Sequence, residues 1–146
     1  MIQSAIQKLE AICNTIPEKL KAISETDLLF KSSPEKWSKK QILGHLIDSA
    51  TNNHQRFVRV QFEIEPTIFY NQNKWVEVHN YELLDTKQLI SFWESYNRQL
   101  IHILKLIPED RLNRKSTDHS GQLVTMKFQI NDYVAHMEHH LKELVG

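Results

Sequence analysis

Apolar side chains recur every three or four residues along four long stretches of this chain, the spacing of helices with one buried face. In the first, Ile2, Ala5, Ile6, Leu9, Ile12, Cys13, Ile16, Leu20 and Ile23 form the stripe, and Pro17 interrupts it. Proline lacks the N–H of the helical ladder, so a kink or break is expected near Thr15 and Ile16. The second stretch opens at Ser38, a good N-cap, with Gln41 completing a capping box. Its apolar side is Ile42, Leu43, Leu46, Ile47, Ala50, Phe57 and Val60. Asp85 and Gln88 offer a second capping box before Leu89, Trp93, Tyr96, Leu100, Ile103 and Ile107, and Pro108 stops this third stripe. The fourth runs from about Met126 to the end, with Ile130, Tyr133, Val134, Met137, Leu141, Leu144 and Val145 facing inward.

The connections refine this picture. Residues 65–84 are too many for a tight antiparallel turn, so a crossover with some local structure is expected between the second and third helices. Residues 109–125 contain Asp118-His-Ser-Gly121, a turn signal between two short polar stretches. Three glycines and four prolines leave few obligatory turns. The expectation is an all-α fold of four long helices.

At 146 residues the chain is expected to be one domain, 1–146, burying roughly 68–70% of its unfolded surface without disulfides. Cys13 stands alone and reads as a small core hydrophobe. The N-terminal residues show no apolar signal segment, and no stretch approaches a membrane span, so a soluble cytoplasmic protein is expected. Eighteen basic and eighteen acidic residues cancel, which argues against nucleic acid or an anionic membrane as partner.

Eight histidines are many, and imidazole is the commonest metal ligand. His136 and His140 lie four apart on the last helix, on one face and one turn apart, where both can reach one ion. On a helical wheel of about 100° per residue they sit at the edge of the core-facing stripe. His45 sits at the margin of the second helix, with Ile42 and Leu46 to one side and Asp48, Gln41, Asn52 and Arg56 within about 60° on a polar ridge. Gly44 beside it removes a side chain and admits close approach of a neighbour or a ligand. Margins of two helices meet at a groove, and three nitrogen ligands leave a fourth position open, the catalytic arrangement. His139 points to the polar side, and His54 is about 180° from His45. His79, His102 and His119 have no helical partner at ligand spacing. Glu138 points about 200° away from His136, so the metalloprotease H-E-x-x-H pattern is absent. The H-x-x-x-H spacing by itself is a weak signal.

Trp37-Ser-Lys-Lys-Gln-Ile-Leu-Gly-His45-Leu-Ile-Asp-Ser-Ala together with Tyr133-Val-Ala-His136-Met-Glu-His139-His140-Leu resembles the DinB/YfiT-like superfamily. Phe69-Tyr-Asn-Gln-Asn-Lys-Trp75 is similar to the region after helix two in the YfiT-type branch. The similarity runs from about Trp37 to Leu144, with helix one matching in character only. The resemblance implies a four-helix bundle with a long crossover between helices two and three, and a divalent metal on His45, His136 and His140. It leaves zinc and nickel both open, since three nitrogen donors do not choose between them. It also implies a small-molecule substrate, attacked by water in a hydrolase or by a low-molecular-weight thiol in an S-transferase. Asn71 and Asn73 stand where acidic residues are frequent in that branch, which weakens any acid/base role for the segment.

Asp48, Tyr70 and Arg56 are the candidate catalytic side chains, with Asn52 beside them on the ridge. Tyr70, Gln72 and Trp75 on the crossover suit a lid. Ile68, Phe69 and Trp75 are open to two roles, covering the site or forming a homodimer surface. Two rival readings stand beside the enzyme: a metal-loaded, stress-linked interaction module without turnover, and a plain bundle whose histidines never meet.

Overall fold

Capping chemistry fixes where the long helices of this computed structural model begin; residues 2–118 and 120–146 are described. Ser38 Oγ accepts the Gln41 N–H while the Gln41 side chain accepts the Ser38 N–H, a closed capping box that starts α3 (Lys39–Arg59). Asp85 accepts the Gln88 N–H at the head of α5 (Thr86–Lys105), and Thr125 does the same with Phe128 for α6 (Met126–Val145). These three helices and α1 (Gln3–Lys21) form a four-helix bundle, in the ring order α1, α5, α3, α6. Trp93, Phe57, Leu100 and Ile130 fill its centre, each fully buried.

Of the kink or break expected near Thr15 and Ile16, the break does not occur: α1 runs through Pro17 as one helix. Pro17 is buried in the stripe, and the Cys13 carbonyl it leaves without a helical donor accepts a bond from Arg98 Nη2 of α5 at 3.2 Å. The missing hydrogen bond is replaced from a neighbouring helix.

Two short helices went unread in the periodicity. Ser24 caps α2 (Glu25–Leu29), which buries Leu28. Within the crossover, Asn71 accepts the Lys74 N–H and opens α4 (Gln72–His79). Asn80, in the left-handed conformation at φ 49°, ends α4 and turns the chain into a 3-10 turn at Tyr81–Leu83. Residues 115–125 add an antiparallel hairpin to the helical fold. Its strands β1 (Lys115–Thr117) and β2 (Leu123–Thr125) pair Lys115 with Thr125 and Thr117 with Leu123. His119 of the turn lies outside the described residues.

The crossover lies over the side of α3 that the wheel marks as polar. Asp48 and Asn52, expected on an exposed ridge, are therefore 1% and 3% exposed. Ile68 is buried as well, which removes it as a surface residue, whereas Phe69 is exposed. No helix among the described residues is long and apolar enough to cross a membrane.

Candidate metal centre

The start of α3 meets the end of α6, and this antiparallel crossing brings the three predicted histidines together. His45 Nε2 and His136 Nε2 are 3.2 Å apart. Ring centroids lie 5.0 Å apart for His45 and His136, 4.9 Å for His45 and His140, and 4.6 Å for His136 and His140. One nitrogen from each ring falls within 4.8 Å of the other two. His45 is the buried member; His136 and His140 are partly open to solvent.

Burial holds His45 neutral, pushing its pKa from 6.5 down to about 3, with His136 and His140 adding to the shift. Burial also lowers His136, with His140 next in effect. Neutral imidazoles carry the lone pairs that a cation needs. His140 Nδ1 is 2.8 Å from Glu143 Oε1, a contact in which Nδ1–H donates to the carboxylate and Nε2 is left to face the other two rings. Trp37 covers His45 at 4.8 Å between ring centroids, and His45 Nδ1 is buried with no hydrogen-bond partner among the described residues.

This donor set fits a divalent ion. Bonds of roughly 2.0–2.1 Å at tetrahedral angles separate two nitrogens by about 3.3–3.4 Å. The His45–His136 separation of 3.2 Å is close to that value. Two nitrogens on one ion can be no more than about 4.2 Å apart, so the wider 4.8 Å span requires an imidazole to swing inward by part of an ångström. His140, at the solvent edge, has room to do so.

A groove of about 340 Å³ runs from His136 along α3 and α6. Arg56 and Tyr70 line it, with Ser49, Asp132, Gln129 and Tyr133. Arg56 Nη2 donates to the Ile68 carbonyl at 2.6 Å and Nη1 to Asn53 Oδ1 at 3.2 Å. Its Nε has no hydrogen-bond partner among the described residues. Burial pushes the Tyr70 hydroxyl up to about 12, with the charge of Asp48 adding to it, so Tyr70 stays protonated and able to donate.

The remaining candidates divide. Gln72 lines the histidine groove, but Trp75 does not; it walls a second cavity, of about 320 Å³, between α3, α4 and α5. Asp48 also opens on that second cavity and is absent from the lining of the first. On the wheel Asp48 lies about 60° from His45 on the side opposite Ser49, which places the two cavities on different faces of α3. His54 turns away to Tyr96, at 2.9 Å, and His139 is exposed, as their wheel positions predict. Sequence reasoning missed Glu143, Asp132 and Tyr81. Glu143 and Asp132 carried a signal, at three and four positions from a site histidine on the same helix; Tyr81 had none beyond Gly44, against which its ring packs.

Known proteins are similar to this chain in sequence or in fold. A Halalkalibacterium halodurans protein named "Putative metal-dependent hydrolase" is 24% identical over 135 residues, covering 89% of this chain and 78% of its own length. A Bacillus cereus protein of the same name is 25% identical over 147 residues, covering 100% and 84%. The solved structure of YfiT from Bacillus subtilis, described as a probable metal-dependent hydrolase with an unusual four-helix bundle topology, matches with a TM-score of 0.87 at 20% identity, over 97% of this chain and 82% of that one. A mycothiol-dependent maleylpyruvate isomerase matches with a TM-score of 0.78 at 13% identity, over 97% of this chain and 60% of that one. The family model of the DinB superfamily matches residues 8–144, and the chain belongs to that superfamily.

Proposed function

We propose that the protein, acting as one domain over residues 1–146, is a metal-dependent enzyme. In this reading His45, His136 and His140 hold a divalent ion, zinc or nickel, beside a groove that takes a small-molecule electrophile. The observation that carries it is the convergence of three imidazoles, one of which, His136, lines a groove between α3 and α6. A divalent ion held by these imidazoles would supply Lewis-acid chemistry, lowering the pKa of water or of a low-molecular-weight thiol so that either could act as nucleophile. The relatives named as hydrolases favour water; the mycothiol-dependent isomerase favours a thiol.

The residues of the groove divide the remaining work. Arg56, half-buried and with Nε unspent, orients an anionic part of the substrate. Tyr70 donates its hydroxyl proton as a hydrogen bond to the electrophile or its leaving group. Asp132, one turn before His136 on α6, sits where it can accept a proton from an incoming nucleophile. Asp48 opens on the other cavity and is left out of the reacting set.

The test is direct. Purified protein loaded with zinc or nickel is incubated with low-molecular-weight thiols and an aryl halide, and separately with ester and amide substrates in the absence of thiol. Conjugate or hydrolysis product is expected, abolished by His136→Ala. Product that survives this change, or protein purified natively without any bound metal, overturns the reading.

A further inference from the structure

The second cavity has the composition of a binding site in its own right. At about 320 Å³ it falls in the range of small-molecule pockets, roughly 300–1,000 Å³. Trp75 and Phe92 form aromatic walls, His79 stacks on the Tyr81 ring at 4.8 Å between ring centroids, Gln88 borders the cavity from α5, and Asp48 reaches it from α3.

Asp48 is the anomaly. Its carboxylate is buried at 1% exposure, and its two oxygens are treated differently. Oδ1 accepts a hydrogen bond from Tyr81 Oη at 2.5 Å and lies 3.3 Å from His79 Nδ1. Oδ2 is buried with no hydrogen-bond partner among the described residues. His79 does not fill the gap, because its Nδ1 is also committed to the Trp75 carbonyl at 2.8 Å. Native proteins seldom leave a buried carboxylate oxygen bare.

Aromatic faces and a bare carboxylate oxygen share one preference. The ring quadrupoles attract a cation, and Oδ2 needs an N–H donor. A primary ammonium on a compact apolar or aromatic body satisfies both. A quaternary ammonium satisfies the rings only, and a neutral alcohol the carboxylate only.

We propose that this cavity is a second ligand site, distinct from the histidine groove, which binds a primary amine in its protonated form. The ammonium lies against the Asp48 carboxylate, and the body packs against Trp75 and Phe92.

Calorimetric titration of the full-length, metal-loaded protein with benzylamine at neutral pH tests it, with benzyl alcohol and benzyltrimethylammonium as comparisons. Saturable binding of benzylamine is expected, with both comparisons weaker by about tenfold or more. Asp48→Asn weakens benzylamine about 10- to 100-fold. Phe92→Ala, at a half-exposed position, weakens it several-fold. His136→Ala leaves the affinity unchanged. If Asp48→Asn does not fold, the amine-to-alcohol ratio and Phe92→Ala decide. No saturation by roughly 10 mM, equal binding of benzyl alcohol, or loss of binding in His136→Ala, which would put the amine on the metal, each overturns the proposal.

Discussion

The ring of Tyr81 occupies the place where residue 44 would carry a side chain. A Cβ built on Gly44 meets Tyr81 Cδ2 at 2.1 Å and Cγ at 2.4 Å. The glycine beside His45 thus serves the crossover and not the metal centre. It lets an aromatic ring lie flat on α3, where the Tyr81 hydroxyl reaches Asp48.

Gly44→Ala therefore sets two effects against each other. Alanine gains about 1 kcal/mol of helix propensity, but the displaced ring costs about 1–3 kcal/mol and takes the Asp48 hydrogen bond with it. The clash is with a fully packed ring, so it wins. The expected outcome is a net loss of about 1–2 kcal/mol, a Tm lower by roughly 2–8 °C. A thermal melt of equal or higher midpoint would show that Tyr81 can move without penalty.

Pro17 and Arg98 form a second coupled pair. Arg98→Ala removes the donor to the Cys13 carbonyl and is expected to cost about 1 kcal/mol. In a Pro17→Ala background residue 17 regains an N–H for that carbonyl, and the cost of removing Arg98 should fall by about half. Urea denaturation of the four variants measures it; strict additivity would mean that Arg98 acts through Glu94 or Asn14 instead.

The same pair shows what a sequence can convey. Periodicity and caps placed the four long helices, because both are local and written in neighbouring residues. The uninterrupted path of α1 through Pro17 was invisible, since the compensating donor sits on another helix 81 positions away. The three histidines were legible because helical wheels report which face a residue occupies, and two faces with histidines at their margins can meet. Asp48 lay near His45 on the same wheel, yet the crossover that buries it and turns it toward a separate cavity left no periodic mark. Asn71 and Asn80 carried the clue: both are residues that begin and end helices, and they bracket α4.

Burial of neutral His45 has a pH signature in the metal-free protein. Its pKa is about 3 in the fold against 6.5 for an unperturbed histidine, so between these values the unfolded chain binds a proton that the native state refuses. Stability is untouched above the upper value and falls as pH drops through the window, by at most about 1.4 kcal/mol per pH unit. Asp48, raised by burial, acts in the opposite sense and favours the fold as pH falls. Replacing His45 by Gln should flatten the loss between pH 7 and pH 5, measured as urea midpoints in the presence of chelator. Parallel slopes for wild type and variant would mean that His45 takes up its proton within the fold.

Glu143 gives the sharpest test of the metal assignment, because it touches a proposed ligand without being one. Its carboxylate, 2.8 Å from His140 Nδ1, fixes the tautomer and raises the electron density at the opposite nitrogen. Glu143→Gln is expected to weaken zinc or nickel about 10- to 100-fold and to leave the metal-free Tm within about 2 °C, as befits an exposed pair worth little by itself. Glu138, on the same helix but paired with Lys8, is the control: Glu138→Gln should leave metal affinity unchanged. Competition against a chromogenic chelator reads both. Loss of affinity in both variants would trace the effect to the general charge of α6, and loss in neither would detach His140 from the ion.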